Sequence, residues 1–259
     1  MNTATLTATL TRLGALGRAE LTLLLRNRSA VFTSLLMPVF FVVITRTSMS
    51  GVDLEETGTS ANGAVMTGGI GIVLILVVYT NLVSAYVARR EELLLKRLRT
   101  GEPTDAEILG GTALPSVLIA LLQCLVLLAA GVAALNVGAP ARADLLLLGV
   151  LLGCVMLTGL AAATSAVTRS PESAQITVMP LMLVSLAASG LMIPLEIFPD
   201  PVADVCRLLP LTSVMELVRF GWLGGGSAGE VLRALGLAVV WTVLSVFAVR
   251  RWFRWEPRR

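Results

Sequence analysis

The 259-residue sequence predicts an all-α integral membrane protein with six transmembrane helices, and three observations lead there. Hydrophobic residues make up 56% of the chain and charged ones only 14%, with a mean hydropathy of +0.85, far from a soluble domain of this length. The charges are also clustered: stretches 57–88 and 108–141 carry none, and each exceeds the roughly 20 apolar residues that a crossing helix needs. Finally, if the N-terminus is inside, fifteen of the twenty basic residues fall on the inner side and only Arg46, Arg142, Arg207, Arg219 and Arg233 on the outer side. That bias places both termini in the cytoplasm.

The whole of 1–259 reads as one transmembrane domain. In 1–28, Leu6, Leu10, Leu13 and Leu16 recur at helical spacing beside Arg12, Arg18, Arg26 and Arg28, predicting an amphipathic helix on the inner membrane surface rather than a cleaved signal peptide. Span one is expected over 29–44 with a kink at Pro38, and span two over 64–86, where Gly68, Gly69 and Gly71 permit close helix approach. Spans three to six follow at 112–135, 144–167, 174–193 (interrupted at Pro180) and 231–249.

Between spans two and three, 88–111 is a polar island with five basic and five acidic residues. The 3.6-residue period sets Arg89, Glu92, Lys96 and Arg99 on one side of a helix and Leu94, Leu95 and Leu98 on another, with Glu92 and Lys96 paired at i,i+4. Gly101 and Pro103 end that helix, and Thr104 with Glu107 reads as a capping box that starts the next. Between spans five and six, 194–226 is too apolar for a solvated loop and too rich in proline for a span. It predicts short helices over 202–209 and 212–222, either re-entrant or capping the bundle, with Glu216 and Arg219 neutralising one another at i,i+3.

Absences narrow the function. With no histidine, a Ser-His-Asp triad, an H-E-x-x-H zinc site and an imidazole relay are all excluded, so no catalytic or metal-binding residue is assigned. The lone lysine, Lys96, follows no Gly-rich phosphate loop, so ATP chemistry has to come from a partner. Cys124, Cys154 and Cys206 lack metal-ligand spacing and are expected to be packing residues. No basic patch interleaved with aromatics suggests nucleic acid. No ionisable residue lies well inside a span, which disfavours a carrier driven by protons or sodium. The weakly polar Thr80, Asn81, Ser84 and Gln123 are the candidates for a transport path, and Gly149 with Gly153 for a helix contact.

Two stretches resemble the membrane subunit of type-2 ABC (ATP-binding-cassette) transporters, a group that includes bacterial drug exporters. The run Arg90-Glu91-Glu92-Leu93-Leu94-Leu95-Lys96-Arg97-Leu98-Arg99 is similar to the family's acidic, Gly-Thr-Leu, basic, Leu pattern, with Leu93-Leu94 standing where the family commonly has Gly-Thr. Ser189-Gly190-Leu191-Met192-Ile193-Pro194, then Leu209-Pro210-Leu211-Thr212 and Arg219, is similar to the family's pattern around its outer re-entrant helices. The resemblance implies that 88–99 is a coupling helix seated in a separate ATPase subunit, which binds ATP and Mg while this chain binds neither. It further implies a second permease chain, identical or paralogous, a bacterial inner membrane, and export of an apolar or amphipathic substrate. A secondary transporter and a non-transporting membrane scaffold are the alternatives.

Overall fold

A computed structural model of the chain describes residues 61–101, 103–134, 138–191, 195–253 and 255–256, with Gly14, Arg18, Thr22, Val43 and Thr47 as isolated helical positions. Apart from these positions, the expected surface helix of 1–28 and span one lie outside the described residues. Among the described residues there is no strand.

The fold is built around one rod. α1 (Ala61–Val73), a π-helical segment (Leu74–Thr80) and α2 (Asn81–Glu91) run on without a break, because the residues at both junctions keep right-handed helical dihedrals. From Ala64 to Tyr79 the rod is apolar almost all round, as a helix surrounded by other helices must be. Val73, Leu74, Ile75, Val78 and Leu82 are fully buried against α4 (Asp105–Ala134), α5 (Ala143–Val167), α6 (Pro171–Ala188) and α8 (Pro210–Leu223). A short α3 (Leu94–Arg99) follows the rod. α7 (Asp200–Arg207) precedes α8, and α9 (Ala228–Trp252) closes the chain on the periphery, exposing Val239, Val243 and Phe247.

Among the described residues, four stretches are long and apolar enough to cross a membrane: Gly63–Glu91, Asp105–Ala129, Ala143–Val167 and Ala228–Trp252. The second starts seven residues before the expected Thr112, because Thr104 and Glu107 form the capping box, with the Thr104 N–H donating to Glu107 Oε2 at 2.7 Å. The expected span at 174–193 is an 18-residue helix that starts at a Ser170–Ser173 capping box and runs through Pro180. It ends before Ser189, and Gly190 then turns the chain at φ +67°, a left-handed angle that glycine adopts without penalty.

α8 is the unexpected core element. Its 14 residues rise about 21 Å, short of a hydrocarbon core of about 30 Å, yet every residue from Pro210 to Val218 is buried. It lies against α1, α5 and α9. Gly149 and Gly153 of α5 allow this approach: a Cβ on Gly153 would stand 2.8 Å from Val214 Cγ1, and one on Gly149 3.1 Å from Leu217 Cβ. The G-x-x-x-G pair is therefore used inside the chain. Backbone bonds from Arg142 N to Gly221 O (2.9 Å) and Ala141 N to Trp222 O (3.2 Å) bring the end of α8 to the start of α5. The α7–α8 segment thus occupies one end of the bundle, and the far end of α5, at Thr168, marks the other.

Candidate docking segment and transport stripe

At the Thr168 end, the polar island holds two helices rather than one. α2 stops at Glu91, Leu93 takes a left-handed φ of +58°, and α3 begins at Leu94. The left-handed residue interrupts the helix, so the 3.6-residue period that set Arg89 and Glu92 on one face with Lys96 and Arg99 does not run through it. Arg89 Nη1 donates to Glu92 Oε2 at 2.9 Å, while Lys96 Nζ reaches Glu256 Oε1 at 2.8 Å, so the expected Glu92–Lys96 pair gives way to two others. The three leucines also part company. Leu94 and Leu98 are half-buried, whereas Leu95 is fully buried among this chain's own helices and offers no surface. Leu93, 48% exposed, presents the apolar surface instead.

Three anchors hold this segment, and none was read as an anchor from the sequence. Arg90, 1% exposed, donates from Nη1 to Ser165 O (2.8 Å) and from Nη2 to Thr168 O (2.7 Å), closing the C-terminal end of α5 with a positive charge. Helix C-termini leave carbonyls without intrahelical donors and carry partial negative charge, and a guanidinium answers both. Tyr86, buried on the same turn of α2, donates its hydroxyl to Leu109 O on α4 at 2.9 Å and meets the edge of Phe253 at 6.3 Å between centroids. The tail after α9 then folds back onto α3: Arg99 stacks over Trp255 at 4.8 Å and bonds Asp105 at 3.1 Å, beside the Lys96–Glu256 pair. The sequence signal for the first two anchors was a tyrosine and an arginine four residues apart at the end of a long uncharged run.

Along the buried rod, one stripe stays partly open. Leu76, Thr80, Asn81, Ser84, Ala85 and Ala88 are half-buried while the residues around them are buried, and their spacing sets them on one face. Three of the four path candidates share it. Gln123, the fourth, is buried on α4. Thr80 donates to Ile75 O at 3.1 Å, five residues back, within the π-helical register. Single π turns in α-helices are frequent at functional sites.

At the opposite end, Glu216 is buried and bonded by Arg233 of α9 at 3.3 and 3.4 Å. This longer-range pair adds to the expected Glu216–Arg219 attraction, since Arg219 also acts on the Glu216 carboxylate. Arg219 lies against Gly190, where any Cβ would strike its guanidinium. Cys124, Cys154 and Cys206 are buried free thiols.

The model of the ABC-2 family transporter protein family matches residues 42–250, which contain α1 to α8 and all but the last turn of α9. The chain belongs to the ABC-2 transporter family. No curated protein matches it. As an ABC-2 permease it is a membrane transport component, and the long apolar helices are its transmembrane parts. Permeases of the ABC-2 family normally work with an ABC ATPase and are generally not catalytic themselves. The exposed turn at Leu93 stands at the end of the permease's buried central rod.

Proposed function

We propose that the chain is the permease subunit of an ATP-driven exporter in a bacterial inner membrane, with both termini in the cytoplasm. A separate ATPase subunit binds ATP and Mg and docks on the turn formed by Arg89, Glu92, Leu93, Leu94, Lys96, Leu98 and Arg99. The observation that carries this reading is the exposed, left-handed Leu93 between a rigid buried rod and a short charged helix. An apolar anchor ringed by charge is the usual make-up of a specific protein contact. Movement of that turn on ATP hydrolysis would pass along α2 and the π-helical segment into the bundle.

Two such chains, identical or paralogous, would face each other across the Thr80, Asn81, Ser84 stripe, with Gln123 nearby in the path wall. A weakly polar lining suits an apolar or amphipathic cargo. Read in this frame, α7 and α8 are re-entrant elements entering from the outer leaflet.

The test is recovery of a co-expressed ABC ATPase with tagged permease. Leu93→Asp and Leu98→Asp chains should insert normally, since the spans and most inner positive charge are untouched, but should recover little ATPase. Recovery equal to wild type in both would sink the docking assignment.

A further inference from the structure

The two ends of the bundle treat their arginines differently. Away from the docking turn, Arg142 meets Asp144 at 3.1 Å, Arg207 meets Asp204 at 2.8 Å and Arg233 of α9 meets Glu216 at 3.3 Å. At the docking end, among the described residues, the exposed Arg97, Arg169, Arg250 and Arg251 meet no carboxylate within ion-pair distance.

Two of these four are placed by α9 in a particular way. Arg250 and Arg251 follow Phe247 at i+3 and i+4, and Phe247 follows Leu244 and Val243 at the same spacing, so all five share one helix face with Val240 a turn earlier. That face is exposed throughout, while Ala234, Ala238 and Ser245 on the other side are buried in the bundle. The uncharged run 234–249 rises about 24 Å as a helix, against a hydrocarbon core of about 30 Å. Arginine stems can snorkel outward from its end, which sets both guanidinium groups at headgroup depth. Trp252, 61% exposed and edge-on to Phe247 at 6.4 Å between centroids, sits at the same level, where tryptophan is enriched in membrane proteins.

This is the surface that a phospholipid fits. Its acyl chains lie along the apolar stripe, and its phosphate oxygens meet the two arginine forks. A zwitterionic headgroup brings a cation of its own, which two uncompensated arginines repel, whereas an acidic headgroup brings none. We propose that the face of α9 ending in Arg250 and Arg251 binds an acidic phospholipid of the leaflet on the docking-turn side. That this leaflet is the inner one rests on the orientation proposed above, and the lipid contact itself does not.

The purified full chain in maltoside micelles is equilibrated with an equimolar mixture of palmitoyl-oleoyl phosphatidylglycerol and palmitoyl-oleoyl phosphatidylcholine. Mass spectrometry of the intact protein then reads which lipid stays bound. Phosphatidylglycerol should be favoured on the order of tenfold, since each arginine near the membrane surface adds to the attraction. The preference should fall to about unity in the double variant Arg250→Gln/Arg251→Gln and stay as in wild type in Arg97→Gln, which removes an unpaired charge from the same end but off α9. Should the double variant fail to fold, each single variant should lose part of the preference. No preference in wild type, an unaltered preference in the α9 variants that fold, or an equal loss in Arg97→Gln would overturn the proposal. So would loss of ATPase recovery in an α9 variant whose lipid preference is intact, which would give the surface to a protein partner.

Discussion

Arg90 Nη2 lies 2.7 Å from the carbonyl oxygen of Thr168, a bond that spans 78 residues and ties the end of the central rod to the end of α5. With the second bond to Ser165 O, it fixes where the rod stops and therefore where the exposed turn projects. Removing the guanidinium leaves two helix-end carbonyls buried without that donor. Arg90→Met should lower stability by about 2–4 kcal/mol, since charge-assisted bonds contribute about 1.5–3 kcal/mol each and are not additive. Arg90→Lys, keeping the charge but not the fork, should recover only part of this. Thermal unfolding of the detergent-purified variants is the measurement, and a midpoint unchanged in Arg90→Met would refute the anchor.

Leu93 holds a backbone angle that costs a residue with a Cβ about 1–2 kcal/mol. Glycine at that position would remove the strain while deleting the exposed side chain. Leu93→Gly should therefore raise the unfolding midpoint while weakening ATPase recovery. Leu93→Val, branched at Cβ, should lower both. A fall in midpoint for the glycine variant would contradict the left-handed geometry.

The Lys96–Glu256 pair joins α3 to the tail, but both side chains are more than half exposed. Exposed pairs couple by about 0–1 kcal/mol and weaken with salt. A double-mutant cycle with Lys96→Met and Glu256→Gln should give a coupling inside that range that fades in high salt. A salt-independent coupling above it would show the pair to be shielded from solvent.

Helix contact through glycine can be ranked from what surrounds each one. An alanine Cβ at Gly221 would run into the Leu146 backbone, which cannot rotate away, whereas at Gly149 it would meet Leu217 Cβ at 3.1 Å and the Val218 side chain at 3.2 Å. Overpacking typically costs about 1–3 kcal/mol. Gly221→Ala should sit at or above the upper end and Gly149→Ala near the lower, read as loss of folded protein on heating. The reverse order would mean that α5 and α8 can slide apart.

The opposite fates of Leu95 and Leu98 predict different failures. Leu95→Asp should abolish folded protein, because a charge would enter the chain's own core, while Leu98→Asp should leave monodisperse permease that is deficient only in partner recovery. Size-exclusion profiles alongside the recovery assay separate the two, and indistinguishable behaviour would erase the distinction.

Composition and charge clustering alone determined that this is a helical membrane protein with a polar segment between two long apolar stretches, since transfer from water to lipid acts on each run of residues wherever it sits in the fold. Helix starts were legible for the same local reason: Thr104 with Glu107 satisfies backbone donors three residues apart, and that needs no tertiary partner. The family resemblance was also carried by short runs, and the match over 42–250 bears it out. What the periodicity of 88–99 could not show was the break at Leu93, because a left-handed residue there leaves no mark on the spacing of the leucines. Only packing decided that Leu95 turns inward, that Glu216 meets Arg233 of α9, and that α8 is buried in the core. Each depends on helices far apart in sequence arriving at the same place, and the partner of a buried charge is the one whose backbone brings it within reach, whatever its distance along the chain.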